Sequence, residues 1–407
     1  MRRLPALLVL AATASSLAES LIPTEHDNRG ILSVVVLPFS NRSRSELDWV
    51  GESLAERISE AVAGQGILVV DRDARLMACQ RLSLAPSARL TRGSLIKIAE
   101  ELDVAVAVSG EYEVFPAPGS TSDSSHASIR LEAFCLDLRR LRMENCGVEQ
   151  GSLNSLSELQ SRLAWQVLRH LHPDSVPALA EFLRDNPPVR LDALEQYVRG
   201  LLAETREQKH RFLAQSARLA PDFSAPLFEL GRLHFEGKQY RLAAGWLEKV
   251  RPASSKYWRA QFLLGLCRYY TGEFTAAESV LARLAEQLPL NEVLNNLAVV
   301  RARLNRPDAL DGFLQALEGD PDDPDFNFNV GYSLWKRGEF ARAADYLARV
   351  LELAPEDDEA ALLLKRCQQK QAPRASEAQG IGRERLKLNF DERAWRELIA
   401  RFPKADH

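Results

Sequence analysis

Residues 31–37, Ile-Leu-Ser-Val-Val-Val-Leu, form a short β-branched run of the kind that suits a strand buried on both faces. Over 47–62 the period changes. Leu47, Val50, Leu54, Ile58 and Val62 fall on one helical stripe, Asp48 and Glu52 stand near its start, where a carboxylate complements the helix dipole, and Gly64 and Gly66 end it. Residues 67–70 read as a second strand, 94–102 as a second helix and 104–114 as a third strand stopped by Pro116. The segment 116–126, rich in Ser, Gly and Pro, reads as a loop. Residues 127–138 and 143–151 predict a hairpin turning between Arg140 and Leu141, and 153–171 a closing helix. This alternation followed by a meander predicts an α/β domain with a mixed sheet over 30–172.

The Pro-rich run 173–190 interrupts both patterns and reads as a linker. Beyond it the strand signal stops and a repeat takes over. Gly231, Gly265, Ala298 and Gly331 recur at intervals of 34, 33 and 33, each after an apolar residue: Leu230, Leu264, Leu297 and Val330. A second row, Gly237, Gly272, Asn305 and Gly338, marks turns, and a third, Pro221, Pro289, Pro321 and Pro355, marks helix ends. These rows resemble the tetratricopeptide repeat, a helix-turn-helix unit in which a small residue lets the paired helices approach and Pro ends the second. About five such repeats span 191–369. Residues 258–289 and 324–355 fit best and 224–255 fit well. Residues 291–321 fit less well, because Ala298 and Asn305 replace Gly and Pro307 falls where the second helix should start; the opening unit, 191–221, is degenerate. The expected fold class is thus an N-terminal α/β domain, a mixed sheet with helices, followed by an all-α solenoid of tetratricopeptide repeats. A polar helix over 357–369 would cap the stack. Residues 370–385 read as a flexible linker and 386–402 as a C-terminal helix, whose Trp395, Leu398, Ile399 and Phe402 share one stripe and must dock, on the chain's own repeats or on a partner.

Across the 407 residues, 52 Lys+Arg against 56 Asp+Glu leave a net charge of −4, which offers no basic field for nucleic acid. Arg2 and Arg3 precede a short apolar run and then Ser16-Leu17-Ala18, the pattern of a secretory signal over 1–18, so a periplasmic or secreted location is expected; no later stretch is long enough to span a membrane. Among the five cysteines there is no C-x-x-C. Cys135 and Cys146 would stand directly opposite each other in the predicted hairpin, either as a disulfide or as two half-buried thiols. The chain has no H-E-x-x-H, no phosphate-binding loop, no nucleophile elbow and no dinucleotide turn, so no catalytic residue, metal or cofactor is expected.

The run Val34-Val35-Val36-Leu37-Pro38-Phe39-Ser40-Asn41, then Asp48-Trp49-Val50-Gly51-Glu52 before Leu54-Ala55-Glu56, and later Leu102-Asp103-Val104-Ala105 with Ser109-Gly110, resembles the N-terminal domain of the TolB-like family. That resemblance implies a bacterial, envelope-facing accessory module without established catalysis. In physical terms Pro38 ends a strand, Asn41 can bond the turn backbone, and Gly51 lets helix and strand approach. In the repeats, positions counted from the packing Gly place Phe228, Arg232 and Phe235, then Phe262, Leu266 and Tyr269, then Phe328, Tyr332 and Trp335 on the inner groove. The weak repeat contributes Asn295, Val299 and Ala302, which should leave the middle of the groove less adhesive. A mostly aromatic lining suits an extended peptide or helix, with Arg232 able to fork onto a carboxylate. No Lys/Asn clamp for acidic termini is evident. The sequence therefore points to a non-enzymatic exported scaffold or adaptor that binds another polypeptide in a bacterial envelope assembly, with self-association open. The alternative is an envelope protein whose α/β domain binds a small ligand while the repeats serve dimerisation or signalling.

Overall fold

A computed structural model describes residues 32–43, 47–63, 65, 67–84, 90–115, 127–373 and 383–401. The signal-like residues 1–18, the loop 116–126 and the stop glycines Gly64 and Gly66 lie outside the described residues. The N-terminal part runs β1 (Ser33–Val36), β2 (Ser40–Asn41), α1 (Trp49–Ala63), β3 (Leu68–Val69), α2 (Arg72–Arg81), α3 (Arg92–Glu101), β4 (Val106–Phe115), β5 (Ser128–Asp137), β6 (Arg142–Ser152) and α4 (Leu156–Leu171). The strands lie in the order β3-β1-β4-β5-β6, with β2 beside β4. The β3, β1 and β4 pairings are parallel and the β4, β5 and β6 pairings antiparallel, which makes the sheet mixed. Because strand side chains alternate, Val34 and Val36 join the core under α1 and α4, while Val35 and Leu37 join the second core under α2 and α3. The sequence pattern missed α2, which buries only Arg75, Ala78 and Cys79 and so carries no apolar stripe. At the β1–α1 turn the Phe39 amide donates to the Gly51 carbonyl at 3.1 Å, and a Cβ on Gly51 would lie 2.2 Å from the Phe39 oxygen. Asn41 accepts the Ser43 amide at 2.9 Å.

The hairpin register differs from the expected one. Ala133 faces Gly147 but Phe134 faces Asn145, so Cys146 is the extra residue of a bulge, and Cys135 stands opposite Glu144. The two cysteines share the buried side and form a disulfide with Cα atoms 5.9 Å apart.

The Pro-rich segment 173–190 is itself packed and hydrogen-bonded. It contains α5 (Leu179–Asp185), whose Phe182 is buried. Trp165 donates to the Pro177 carbonyl at 2.9 Å, Arg57 to the Asn186 carbonyl at 2.9 Å, and the Val189 amide to Ser157 Oγ at 2.8 Å. Hydrogen bonds therefore tie this segment along α4 and α1.

The repeats pair α6 (Leu191–Leu202) with α7 (Arg206–Leu219), α8 (Ser224–Glu236) with α9 (Tyr240–Leu247), α10 (Tyr257–Tyr270) with α11 (Phe274–Gln287), α12 (Asn291–Arg303) with α13 (Ala309–Gly319), and α14 (Pro324–Lys336) with α15 (Phe340–Leu353). The helix α16 (Asp358–Gln368) closes the stack, with Asp357 accepting the Ala360 amide. A Cβ on Gly231, Gly265 or Gly331 would come within 2.5–2.9 Å of Leu247, Leu281 or Leu347. Gly200 meets Leu213 in the same way, so the opening unit has its packing glycine after all. The turn row also shifts at one position: the left-handed residues are Lys238, Asn305, Gly272 and Gly338, not Gly237.

The C-terminal part departs most from expectation. Glu384 and Arg385 belong to no flexible linker, because both are held on the repeats, and residues 383–391 are non-helical. The helix α17 covers only Glu392–Arg401, so Leu386, Leu388 and Phe390 lie outside it. Among the described residues, no helix is long and apolar enough to cross a membrane.

Candidate functional site

The concave side of the last repeats is built by α10, α12 and α14, and the chain's own residues 384–391 run across it. Two asparagines one repeat apart do most of the holding. Asn329 on α14 accepts the Arg385 amide at 2.7 Å and donates to the Arg385 carbonyl at 2.8 Å. Asn296 on α12 does the same for Lys387, at 2.8 and 2.7 Å. Asn295 adds a bond to the Arg385 carbonyl at 2.9 Å and accepts from Asn329 at 2.7 Å. All three are fully buried, and a buried amide is tolerated only when its donors and acceptors are matched. Bonds to residues 385 and 387 reach every second residue, the repeat of an extended strand.

Side chains of the segment sort by charge. Glu384, with a side chain only 2% exposed, lies 3.2 Å from Lys336 and 3.5 Å from Arg303. Arg385 pairs with Asp357 at 2.6 Å and Asp325 at 3.4 Å, and its guanidinium stands 3.6 Å over the Phe328 ring. Lys387 reaches Asp323 at 2.6 Å and Asp325 at 2.7 Å. The Arg385 hydrogen bond holds the Asp357 carboxyl below the usual carboxylate range. Burial lowers the pKa values of Arg385 and Lys387, but their acidic partners outweigh it and both end higher than usual, so both stay charged. Further along, Phe390 meets Phe262 edge-on at 5.1 Å and stacks on Trp395 at 4.5 Å, and Asp391 caps α17 while its amide donates to Glu292 at 2.9 Å.

The residues expected to line the groove fare unevenly. Phe328 and Phe262 lie under the segment, as described, and Leu266 is buried in the same cluster as Phe262 and Trp395. Tyr269 accepts from Arg303 at 3.0 Å, and Tyr332 stacks on Phe328 and lies tilted against Trp335. The Trp335 indole donates to the Gln371 carbonyl at 2.8 Å, which ties down the chain after α16. Phe228 is buried in the N-terminal core cluster, and Phe235 packs edge-on to Tyr240 at 5.5 Å. Arg232 is already forked, onto Glu229 at 2.8 Å and Asp73 of α2 at 2.9 Å, so it does not await a ligand carboxylate. The expectation of a weakly adhesive middle is reversed. The asparagines of the fourth repeat supply the polar grip, and Val299 is buried in the core of the closing repeats. Sequence reasoning passed over Asn296 and Asn329. The signal available was the recurrence of Asn two residues before the packing position in consecutive repeats, where the two preceding repeats carry Glu229 and Leu263.

Residues 228–292 and 298–358 match the tetratricopeptide repeat family. Among solved structures, the chain is similar to YrrB, described as a tetratricopeptide protein with an unusual peptide-binding site, at 20% identity over 47% of this chain and 98% of that one, TM-score 0.39. It is also similar to MamA of Desulfovibrio magneticus RS-1, at 20% identity over 39% of this chain and 92% of that one, TM-score 0.36. A third is TTC0263, a tetratricopeptide protein of Thermus thermophilus, at 16% identity over 44% of this chain and 99% of that one, TM-score 0.33. No curated protein matches the chain. The helical half of the molecule is a solenoid of tetratricopeptide repeats set behind an N-terminal mixed sheet.

Proposed function

We propose that this chain is a non-enzymatic interaction scaffold whose concave repeat face holds an extended segment of a partner polypeptide. The observation that carries the reading is the main-chain grip of Asn296 and Asn329, each satisfying both the N–H and the C=O of one peptide residue. Such bonds recognise extended backbone of any sequence, leaving specificity to the flanking pockets. The resemblance of residues 30–172 to the TolB-like family and the signal-like start support an exported, periplasmic setting in a bacterial envelope assembly. The small-ligand alternative gains nothing from the cavity between α1, α4 and α6, whose volume of about 20 Å³ suits a single water.

The reading is tested by fluorescence anisotropy with a labelled peptide spanning 383–401. A chain carrying Arg385→Glu and Lys387→Glu, which repels its own segment, should bind the peptide saturably. Adding Asn296→Ala and Asn329→Ala should abolish binding. A folded, charge-reversed chain that ignores the peptide would overturn the peptide-groove reading.

A further inference from the structure

The groove is a site that already contains a ligand, and the ligand is part of the same chain. Over Glu384-Arg385-Leu386-Lys387-Leu388-Asn389-Phe390, an acid, two bases and an aromatic each enter a pocket of matching chemistry. Glu384 faces Lys336 and Arg303; Arg385 and Lys387 share Asp323, Asp325 and Asp357; Phe390 sits on Phe262. The contacts are polar at Glu384, Arg385 and Lys387, and apolar at Leu386, which packs against the clusters of the last repeats, and at the aromatic end. The hold on 384–387 is mainly hydrogen-bonded and ionic, so a segment that repeats these charges and also covers the apolar sites of Leu386 and Phe390 can take its place.

We propose that residues 384–390 are an exchangeable plug, and that the partner is an extended segment presenting acid, base, apolar residue, base, any two residues, aromatic, in that order. The proposal rests on the peptide-groove reading above and adds the ligand's chemical class and its control. A tethered segment competes as if present at about 1 mM, so for a free-peptide Kd of about 10 µM the native chain binds an added peptide about 100-fold more weakly than an emptied one. A partner must then either bind tighter than the plug or offer several contacts at once. The groove stays shut to random extended chains.

The experiment compares three proteins against the labelled 383–401 peptide: the native chain, the Arg385→Glu/Lys387→Glu variant, and a chain with a specific protease site inserted at residues 376–378, cleaved and diluted. The last keeps every groove residue native and covers the case in which charge reversal disturbs folding, which circular dichroism checks. Expected are binding by both emptied proteins, binding about 100-fold weaker by the native chain, and loss of at least tenfold when the peptide itself carries the Arg385→Glu and Lys387→Glu changes. Equal affinity for native and emptied chains would overturn the plug while leaving the peptide groove standing. Equal affinity for native and charge-reversed peptides would overturn the proposed ligand class. Absence of binding to the cleaved chain would bring down the peptide-groove reading itself. Light scattering on concentrated native chain that shows a dimer exchanging C-terminal segments would make a second copy the occupant and refute a separate partner.

Discussion

Asn296 and Glu56 show how burial acts on single residues in opposite directions. The amide of Asn296 costs nothing once a peptide satisfies both ends of it, so the same residue that would weaken an empty core becomes a recognition element. Glu56, among the described residues, is held only by a long ion pair. It lies on α1 beside the cavity shared with α6, 3.9 Å from Arg75, and burial pushes its carboxyl from an ordinary 4.5 up to about 7 against the pull of Lys256 and Arg75, with Glu52 and Glu60 adding to the rise. Between about 4.5 and 7 the folded chain keeps this proton while the unfolded chain has lost it. Stability from this group is therefore greatest at the acid end of the window, falls as pH rises through it and levels above. Glu56→Gln should flatten the fall, by up to about 3 kcal/mol between pH 4.5 and 7.5 in urea unfolding. Identical slopes for variant and native chain would show that Glu56 ionises normally.

Among elements, the fourth repeat explains its own poor fit to the pattern. Where other repeats place Gly on the first helix against Leu on the second, α12 carries Ala298 and α13 carries Gly312, whose added Cβ would lie 3.0 Å from that of Ala298. The close approach survives because the small residue moved to the other helix. Gly312→Ala should therefore cost about 1–2 kcal/mol, and Ala298→Gly in the same chain should return part of it; simple additivity in the double-mutant cycle would show that the two do not touch. The long edge strand β6 is guarded by an element packed beside it: Gln166 of α4 accepts the Val148 amide at 2.9 Å and donates to its carbonyl at 3.3 Å, closing part of an edge that could otherwise pair with another chain. The period of hydrophobic positions made most helices and strands legible. It missed α2, which has no apolar stripe, and it extended the helical stripe of Trp395, Leu398, Ile399 and Phe402 back over 386–391, where the chain is non-helical and Leu388 is exposed.

At the scale of the whole molecule, the sheet and the repeats share one core. Leu194, Tyr197 and Val198 of α6 lie in the cluster that contains Ile58 and Leu163, and Arg72 of α2 donates to the Leu201 carbonyl at 3.1 Å. Arg232 and Arg259 of the repeats reach Asp73 and Asp71 at the start of α2, and α17 lies against β3. Two parts joined this way should open together. Hydrogen exchange at amides of α1 and α6 is expected to report one opening free energy, whereas earlier opening of α6 would show two independent domains.

What the amino-acid sequence determined by itself was local and periodic: the alternation of strand and helix, the 33–34-residue repeat, and the small residues that let helices pair. These follow from side-chain size and spacing, which a chain carries before it folds. The tertiary structure alone decided which polar groups meet. It turned the Pro-rich stretch into a joint between domains, displaced Cys146 into a bulge and engaged Arg232 with Asp73, 159 residues away in sequence. It also brought the C-terminal segment onto Asn296 and Asn329. Hydrogen bonds and ion pairs depend on distances of a few tenths of an ångström between residues remote in sequence, and no period in the sequence records them.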